Sequence, residues 1–66
     1  MHRYRIIISG GLGVLGREAF GSFHIESDSA RTVLTGDLDQ AGLYGVLNRI
    51  QGLGLELIGL TCLADG

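Results

Sequence analysis

The sequence predicts an α+β fold of the ferredoxin-like kind, in which a four-stranded antiparallel sheet carries two helices on one face. Three observations lead to this prediction: a β-branched apolar run near the N-terminus, an alternating hairpin, and an amphipathic helix that leads into an apolar strand. The resulting order is β-α-β-β-α-β. Two strand–helix–strand units joined by a hairpin give the split βαβ arrangement, and each crossover is expected to be right-handed.

The first half of the chain predicts two strands, a short helix and a turn. Residues 3–9 read RYRIIIS and end at two glycines, which is typical of a strand followed by a tight turn. Residues 12–20 place Leu12, Leu15, Ala19 and Phe20 at helical spacing. Residues 22–26 alternate between polar and apolar side chains, as a half-buried strand does. Residues 27–29 then predict a turn, because Ser and Asp side chains bond the local backbone.

The second half predicts a strand, a longer helix and a last strand. Residues 31–36 complete the hairpin, and Asp37 or Asp39 is expected to cap the next helix. Asp37 followed by Gln40 has the spacing of a capping box. Gly54 supplies a left-handed residue after the helix, and residues 55–63 are apolar enough for a strand in contact with other layers or another chain. The predicted helix carries an apolar stripe formed by Leu43, Val46, Leu47, Ile50 and Leu53.

Size and composition indicate one folded domain over residues 1–66, whose stability is expected to increase when it binds a partner chain. The chain has 12 glycines, one cysteine and a net charge of −2. A single hydrophobic core of this size supplies only about 3–5 kcal/mol of folding stability. A single cysteine excludes an internal disulfide. Cys62, His2 and His24 lack zinc-ligand spacing, so we expect no metal and no cofactor. We therefore expect a homo-oligomer, with a dimer as the first expectation.

Charge and hydropathy limit the partners and the location. No block of like charge is present, so nucleic acid is not an expected partner. No stretch is long enough to span a bilayer, and the N-terminus lacks the apolar segment of a signal peptide. We expect a cytoplasmic protein with no membrane contact, and a small ligand or a protein as the possible additional partner.

One face of the predicted sheet remains uncovered, because two helices cover only one side of four strands. We expect apolar side chains on that face to form the association surface, since large exposed apolar patches usually mark interaction sites. The predicted interface residues are Ile7, Leu55, Leu57 and Leu63. Pairing of edge strands is the alternative geometry, and the sequence leaves the choice open.

Strand alternation divides the predicted sheet residues between its two faces. The helix side is expected to hold Ile6, Ile8, Phe23, Ile25, Ile58 and Leu60. The uncovered side is expected to hold Arg3, Arg5, Ile7, His24, Glu26, Leu57 and Thr61. The sequence does not decide whether Val33 or Leu34 points toward the helices.

A glycine-rich turn is the sharpest motif in the chain. Residues 9–16 read SGGLGVLG, which places G-x-G-x-x-G between a strand and a helix. This segment resembles the phosphate-binding turn of short-chain dehydrogenases, which implies an anion or nucleotide site at the Gly11 and Gly13 amides. A dinucleotide fold needs two βαβαβ halves, however, and the chain has no Lys for the Tyr-x-x-x-Lys pattern of those enzymes. We therefore expect a tight structural turn and no binding of NAD or FAD.

Two groups of polar residues are weaker candidates for chemistry. His24 and Glu26 alternate on one strand and share the uncovered face, where Glu26 could orient His24 as an acid or base. Arg3, Arg5 and Arg31 are expected to gather on that face if the first and third strands are neighbours. RNA binding would also need aromatic stacking residues there, and Tyr4 is expected to point to the opposite side.

Residues 43–57 read LYGVLNRIQGLGLEL, and this helix–glycine–strand unit resembles that of ACT-like regulatory modules. The resemblance implies the β-α-β-β-α-β order, pairing through sheets and small ligands bound at interfaces. The chain also resembles small uncharacterised bacterial proteins that share its YRI start, its LTG segment and its LGLEL segment, a likeness that implies no activity.

We therefore expect a small, non-catalytic, self-associating module that binds a small ligand or a partner protein at its sheet face. A small dimeric α+β enzyme that uses His24 is the first alternative. An anion or nucleotide binder at the Gly10–Gly16 turn is the second.

Overall fold

The computed structural model describes residues 1–65 and confirms the predicted fold class. The elements are β1 (His2–Ser9), α1 (Val14–Ala19), β2 (His24–Ser27), β3 (Arg31–Leu38), α2 (Gln40–Gly52) and β4 (Leu57–Asp65). The four strands form one antiparallel sheet in the order β2-β3-β1-β4. β1 and β3 therefore lie at the centre, and β2 and β4 lie at the two edges.

The core lies between the helices and one face of the sheet. From β1 it takes alternate residues, because successive side chains of a strand point to opposite faces. From β3 it takes Leu34, which settles the facing that the sequence left open: Leu34 is fully buried, and Val33 lies on the opposite face. The buried cluster consists of Tyr4, Ile6, Ile8, Phe20, Leu34, Leu43, Val46 and Ile50.

Helix α2 begins at an aspartate cap and ends at a glycine. Asp39 is the cap residue, and its Oδ1 accepts a hydrogen bond from the Gly42 amide at 2.7 Å. The predicted capping box at Asp37 and Gln40 is wrong, because Asp37 lies within β3. Gly54 adopts a positive φ of 72°, as expected for the residue that turns the chain after a helix.

The buried stripe of α2 is narrower than the sequence predicts. Leu43, Val46 and Ile50 are buried, whereas Leu47 is only half-buried at the edge of the cluster. Leu53 follows the helix and is 44% exposed. Ile50 rather than Leu47 therefore lies at the centre of the contact with the sheet.

Helix α1 is short, and its inward position is a glycine. Gly16 is buried, and a Cβ at this position would lie 2.8 Å from Leu12 Cδ2. Leu15, which the helical spacing predicts to face the core, is 76% exposed. The backbone of α1 approaches Leu12 so closely that no larger residue fits at Gly16 without a shift.

The hairpin between β2 and β3 closes as the sequence predicts. Asp28 Oδ1 accepts hydrogen bonds from the amides of Ala30 and Arg31 at 2.7 and 2.9 Å. Such bonds from the nearby backbone to the side chain are the reason that aspartate is favoured in turns. The buried Thr32 hydroxyl donates to the Gly10 carbonyl at 2.8 Å. This bond ties the start of β3 to the glycine turn that follows β1.

Strand β4 departs from regular pairing at two places. Its ladder with β1 shifts register between Ile7 and Ile8 and again between Arg3 and Tyr4. Each shift places an extra residue in β4, at Ile58 and at Leu63, as a β-bulge does. Between the bulges, Gly59, Leu60, Thr61 and Cys62 pair with Ile7, Ile6, Arg5 and Tyr4.

The bulges change which β4 residues share a face with β1. Leu57 is the register partner of Ile8, on the core side, whereas Gly59 lies opposite Ile7. The expectation that Leu57 joins Ile7 on the uncovered face is therefore wrong. Leu55 precedes β4 and packs partly buried against the core, and Leu63 is an exposed bulge residue. The four predicted interface residues do not form one patch.

Candidate functional site

The uncovered face of the sheet is mainly polar, and two rows of its residues cross all four strands. Cross-strand partners share a face, so the register places His24, Thr35, Arg5 and Thr61 in one row from β2 to β4. We call this set the polar row. The adjacent row holds Glu26, Val33, Ile7 and Gly59. Ile7 and Val33 are the apolar side chains of these rows, and both are half-buried.

The predicted pair of His24 and Glu26 is in contact. His24 Nε2 lies 3.2 Å from Glu26 Oε1, and both side chains are more than 70% exposed. The carboxylate accepts a hydrogen bond when Nε2 carries a proton. An orienting contact therefore exists, but it is surrounded by solvent rather than enclosed by a cavity.

A second ion pair lies beside the polar row. Arg3 Nε donates to Asp37 Oδ1 at 3.1 Å, and Nη2 lies 3.4 Å from Oδ2. The hydrogen bond from Arg3 holds the pKa of the Asp37 carboxyl below its usual range, with smaller help from the charge of Arg3. The guanidinium is therefore fixed in one orientation on the sheet surface.

A groove of about 490 Å³ opens between these two pairs. It lies where β2 begins at His24 while β3 continues to Leu38, so the sheet has a step at its edge. No lining residue has an apolar side chain, and the lining residues are Arg3, Ser22, His24, Thr35, Gly36 and Asp37. A cavity with this lining suits a polar ligand rather than an apolar one.

The three arginines share the uncovered face but do not form one cluster. Arg3, Arg5 and Arg31 lie opposite Asp37, Thr35 and Ser9, so Arg31 is at the other end of β1 from Arg3. The aromatic residues Tyr4 and Phe20 are buried on the other side of the sheet. His24 is therefore the aromatic ring that the polar row offers to a base, beside the cationic donors.

The glycine turn has a packing explanation for its glycines. Gly10 has a positive φ of 80°, and the Asp28 carbonyl oxygen would lie 3.0 Å from a Cβ at Gly11. The groove of about 240 Å³ beside Gly13 and Gly16 is otherwise lined by leucines, namely Leu12, Leu15, Leu53 and Leu55. An anion at the Gly11 and Gly13 amides would lie against an apolar wall.

Exposed apolar side chains concentrate on β4 rather than on the uncovered face. We call Leu57, Ile58, Leu60 and Leu63 the β4 strip; each is between 41% and 56% exposed. Leu60 lies opposite the fully buried Ile6 and so faces the helix side. It is exposed because α2 lies over β3 and leaves the β4 end of that face open.

Two further findings concern metal ligands and membrane-spanning helices. Among the side chains of residues 1–63, no three His, Cys, Asp or Glu are grouped to hold a metal ion. None of the helices in the same range is long and apolar enough to cross a bilayer. Cys62 is an exposed free thiol on β4.

Sequence reasoning placed His24, Glu26, Arg3, Arg5 and Thr61 on the uncovered face but missed Thr35. That Thr35 and Thr61 flank Arg5 follows only from strand register, which short strands do not reveal. The sequence predicts Asp37 or Asp39 as the helix cap, although the even spacing of Asp37 from Arg31 and Val33 is the signal that places it on their face of β3.

Comparisons with known proteins give a family and no function. Curated proteins and solved structures yielded no match to the chain. A family model described as a domain of unknown function, DUF8691, matches residues 3–61. This match runs from β1 into β4 and includes the strands that carry the polar row, so the chain belongs to the DUF8691 family.

Proposed function

We propose that this protein is a small non-catalytic module that associates with a second copy of itself through β4. The observation that carries the proposal is the β4 strip, four apolar side chains each more than 40% exposed on an edge strand. An edge strand presents unpaired backbone donors and acceptors, and proteins usually protect such an edge with charges, with β-bulges or by making it short. β4 has two bulges, so the regular stretch available for pairing is residues 59–62.

The two edge strands of the sheet, β2 and β4, differ in length and in charge. β2 has four residues and carries the charged side chain of Glu26, which is in contact with His24. β4 has nine residues and no charged side chain between Leu57 and Leu63. β4 is therefore the edge with apolar surface and without charge protection.

A second copy suits this edge because antiparallel pairing about a two-fold axis is self-complementary. The uncharged segment brings no like charges opposite each other when it meets itself. With the axis perpendicular to the sheet, both helix layers lie on the same side. Leu60 of each copy then faces the space between the two helix layers, where apolar burial stabilises by about 1.5–3 kcal/mol per leucine.

The polar uncovered face supports this geometry over packing of two sheet faces. Face packing would bury the Arg3–Asp37 pair and Arg5 of both copies, and burying a charge without a partner, as at Arg5, is costly. Edge pairing leaves these arginines in solvent, together with the His24–Glu26 contact. The uncovered face then remains open for a small ligand in each copy.

Catalysis by His24 is the second candidate, and the contact with Glu26 at 3.2 Å favours it. Both side chains are largely exposed, whereas catalytic groups work best in sites that exclude water. We therefore assign the pair to the surface of a binding module. The cytoplasm is its proposed location, since an exposed thiol such as Cys62 persists in a reducing compartment.

Sedimentation equilibrium at tens of micromolar tests the proposal, with Ile58→Lys as the variant and Leu15→Lys as the matched control. Both positions are exposed apolar residues, but Leu15 lies on α1. We expect a dimer for the parent chain and for Leu15→Lys, and a monomer for Ile58→Lys. A parent chain that sediments as a 7.0 kDa monomer would contradict self-association. Dimers of equal strength in all three proteins would contradict the role of β4.

A further inference from the structure

Arg5 lies at the centre of the uncovered face with an exposed side chain. It lies on β1, a central strand, and its register partners on either side are Thr35 and Thr61. The Arg3 guanidinium, by contrast, is held by Asp37, and that of Arg49 donates to the Ala19 carbonyl oxygen at 2.7 Å. Among the side chains of residues 1–63, Arg5 has neither an ion-pair partner nor a hydrogen-bond partner.

Among the described side chains of the uncovered face, Arg5 is the cation best placed to meet an anion at the polar row. The Arg3 guanidinium is paired with Asp37, and Glu26 contacts His24. Arg31 lies at the far end of the sheet, opposite Ser9, and interacts with the Asp28 carboxylate. An anion can therefore reach Arg5 without displacing a carboxylate from it.

We propose that the polar row binds a small anion through a phosphate or carboxylate group, with Arg5 as the principal donor. A guanidinium presents a planar fork of N–H donors that matches either group in a bidentate contact. The hydroxyls of Thr35 and Thr61 flank Arg5 at the distance of adjacent strands, about 5 Å, and can donate to the remaining oxygens. Self-association through β4 does not use Arg5, so this site goes beyond the proposed function.

The groove beside the polar row provides room for the body of the ligand. Thr35 belongs to both the row and the groove, which extends past His24 to the Arg3–Asp37 pair. Its volume of about 490 Å³ lies within the usual range of small-molecule sites. Because its lining is polar throughout, the ligand is expected to carry hydroxyl or amino groups in addition to its anionic group.

A small anion fits this face better than single-stranded nucleic acid does. Nucleic-acid sheets stack bases on exposed aromatic side chains. Tyr4 and Phe20 are buried on the helix side, and Phe23 packs partly buried against the core. The uncovered face therefore offers charge and hydrogen bonds, and among the described residues its aromatic surface is the single imidazole of His24, without the successive rings that nucleic-acid sheets use.

The test is an NMR titration of the isotope-labelled chain with inorganic phosphate and, separately, with citrate. We expect saturable shifts of the Thr35, Thr61 and Arg5 signals at millimolar concentration. Arg5→Gln should weaken binding by about tenfold or more, because hydrogen bonds to charged groups contribute about 1.5–3 kcal/mol. Arg17→Gln removes one positive charge from α1 and should leave the affinity unchanged.

The two anions distinguish the class of ligand, and a second variant tests whether the polar row binds it. Binding of phosphate alone assigns a phosphoryl ligand, and binding of citrate alone assigns a carboxylate ligand. Thr61→Val, an exposed position in the same row, should also weaken binding and replaces Arg5→Gln if that variant fails to fold. Absence of saturable shifts with both anions would overturn the proposal. Equal weakening by Arg17→Gln, or unchanged affinity in the polar-row variants, would overturn it as well.

Discussion

Arg3 and Asp37 are register partners on β1 and β3, and the guanidinium of one makes two contacts with the carboxylate of the other. The pair joins positions 34 residues apart in the chain and lies at the rim of the polar groove. Because the Arg3 and Asp37 side chains are 54% and 39% exposed, the pair adds little to the stability of the fold, and its main effect is to orient Arg3.

The first prediction concerns the acid titration of Asp37. The hydrogen bond from Arg3 lowers the pKa of Asp37 below the ordinary 3.8. A depressed folded-state pKa contributes stability that is complete above the unfolded value and is lost as pH falls through the folded value. In Arg3→Gln, the pKa of Asp37 should rise toward 3.8, as carbon-detected NMR titration of the carboxyl would show.

Asp28 is the internal control for that titration. Its pKa is also lowered, first by the hydrogen bond from the Arg31 amide and then by that from the Ala30 amide. Neither bond involves Arg3, so the Arg3→Gln variant should leave the Asp28 titration unchanged. A parallel rise of both pKa values would indicate a general loss of structure instead.

The second prediction is that Asp39 alone caps α2. Asp39→Ala should destabilise the protein by about 0.5–2 kcal/mol, as loss of a helix cap does. Gln40→Ala should have little effect, because Gln40 is exposed at the first helical position and Asp37 is engaged with Arg3. Thermal unfolding followed by circular dichroism measures both changes. Equal losses would restore the capping box that the sequence predicts.

The third prediction separates Ile50 from Leu47 in the core. Ile50 is 2% exposed, so Ile50→Ala should cost about 2–5 kcal/mol, comparable to the stability of a domain of this size. Leu47 is half-buried, and Leu47→Ala should leave a cooperative transition at a lower temperature. Urea unfolding of the two variants measures the difference. If Leu47→Ala is the more damaging change, the facing of α2 described above is wrong.

The fourth prediction contrasts two glycines of the G-x-G-x-x-G segment. Gly10 has a positive φ, so Gly10→Ala should destabilise by about 1–2 kcal/mol. Gly13 has a φ of −80° and open space around a Cβ, so Gly13→Ala should be tolerated. Thermal unfolding of both variants provides the measurement. Titration of Gly13→Ala and the parent chain with NAD should show binding by neither, and binding lost in the variant would support the nucleotide interpretation.

Local patterns in the sequence were sufficient for much of the fold. The alternation around Ile6 and Ile8 predicted β1 and its buried face, and Asp28 and Gly54 marked a turn and a helix end. The positions of His24, Glu26 and Arg5 on one face also followed from strand periodicity. These features depend on residues within a few positions of each other, whose steric and hydrogen-bonding preferences act whatever the rest of the chain does.

Only the tertiary structure decided the register of β4, the role of Asp37 and the character of the uncovered face. The bulge at Ile58 places Leu57 opposite Ile8, and so moves the apolar surface from the face to the edge. Thr61 becomes a neighbour of Arg5 through the same pairing. Register between distant strands is set by the packing of the whole core against the helices, and a shift of one residue reverses every side chain.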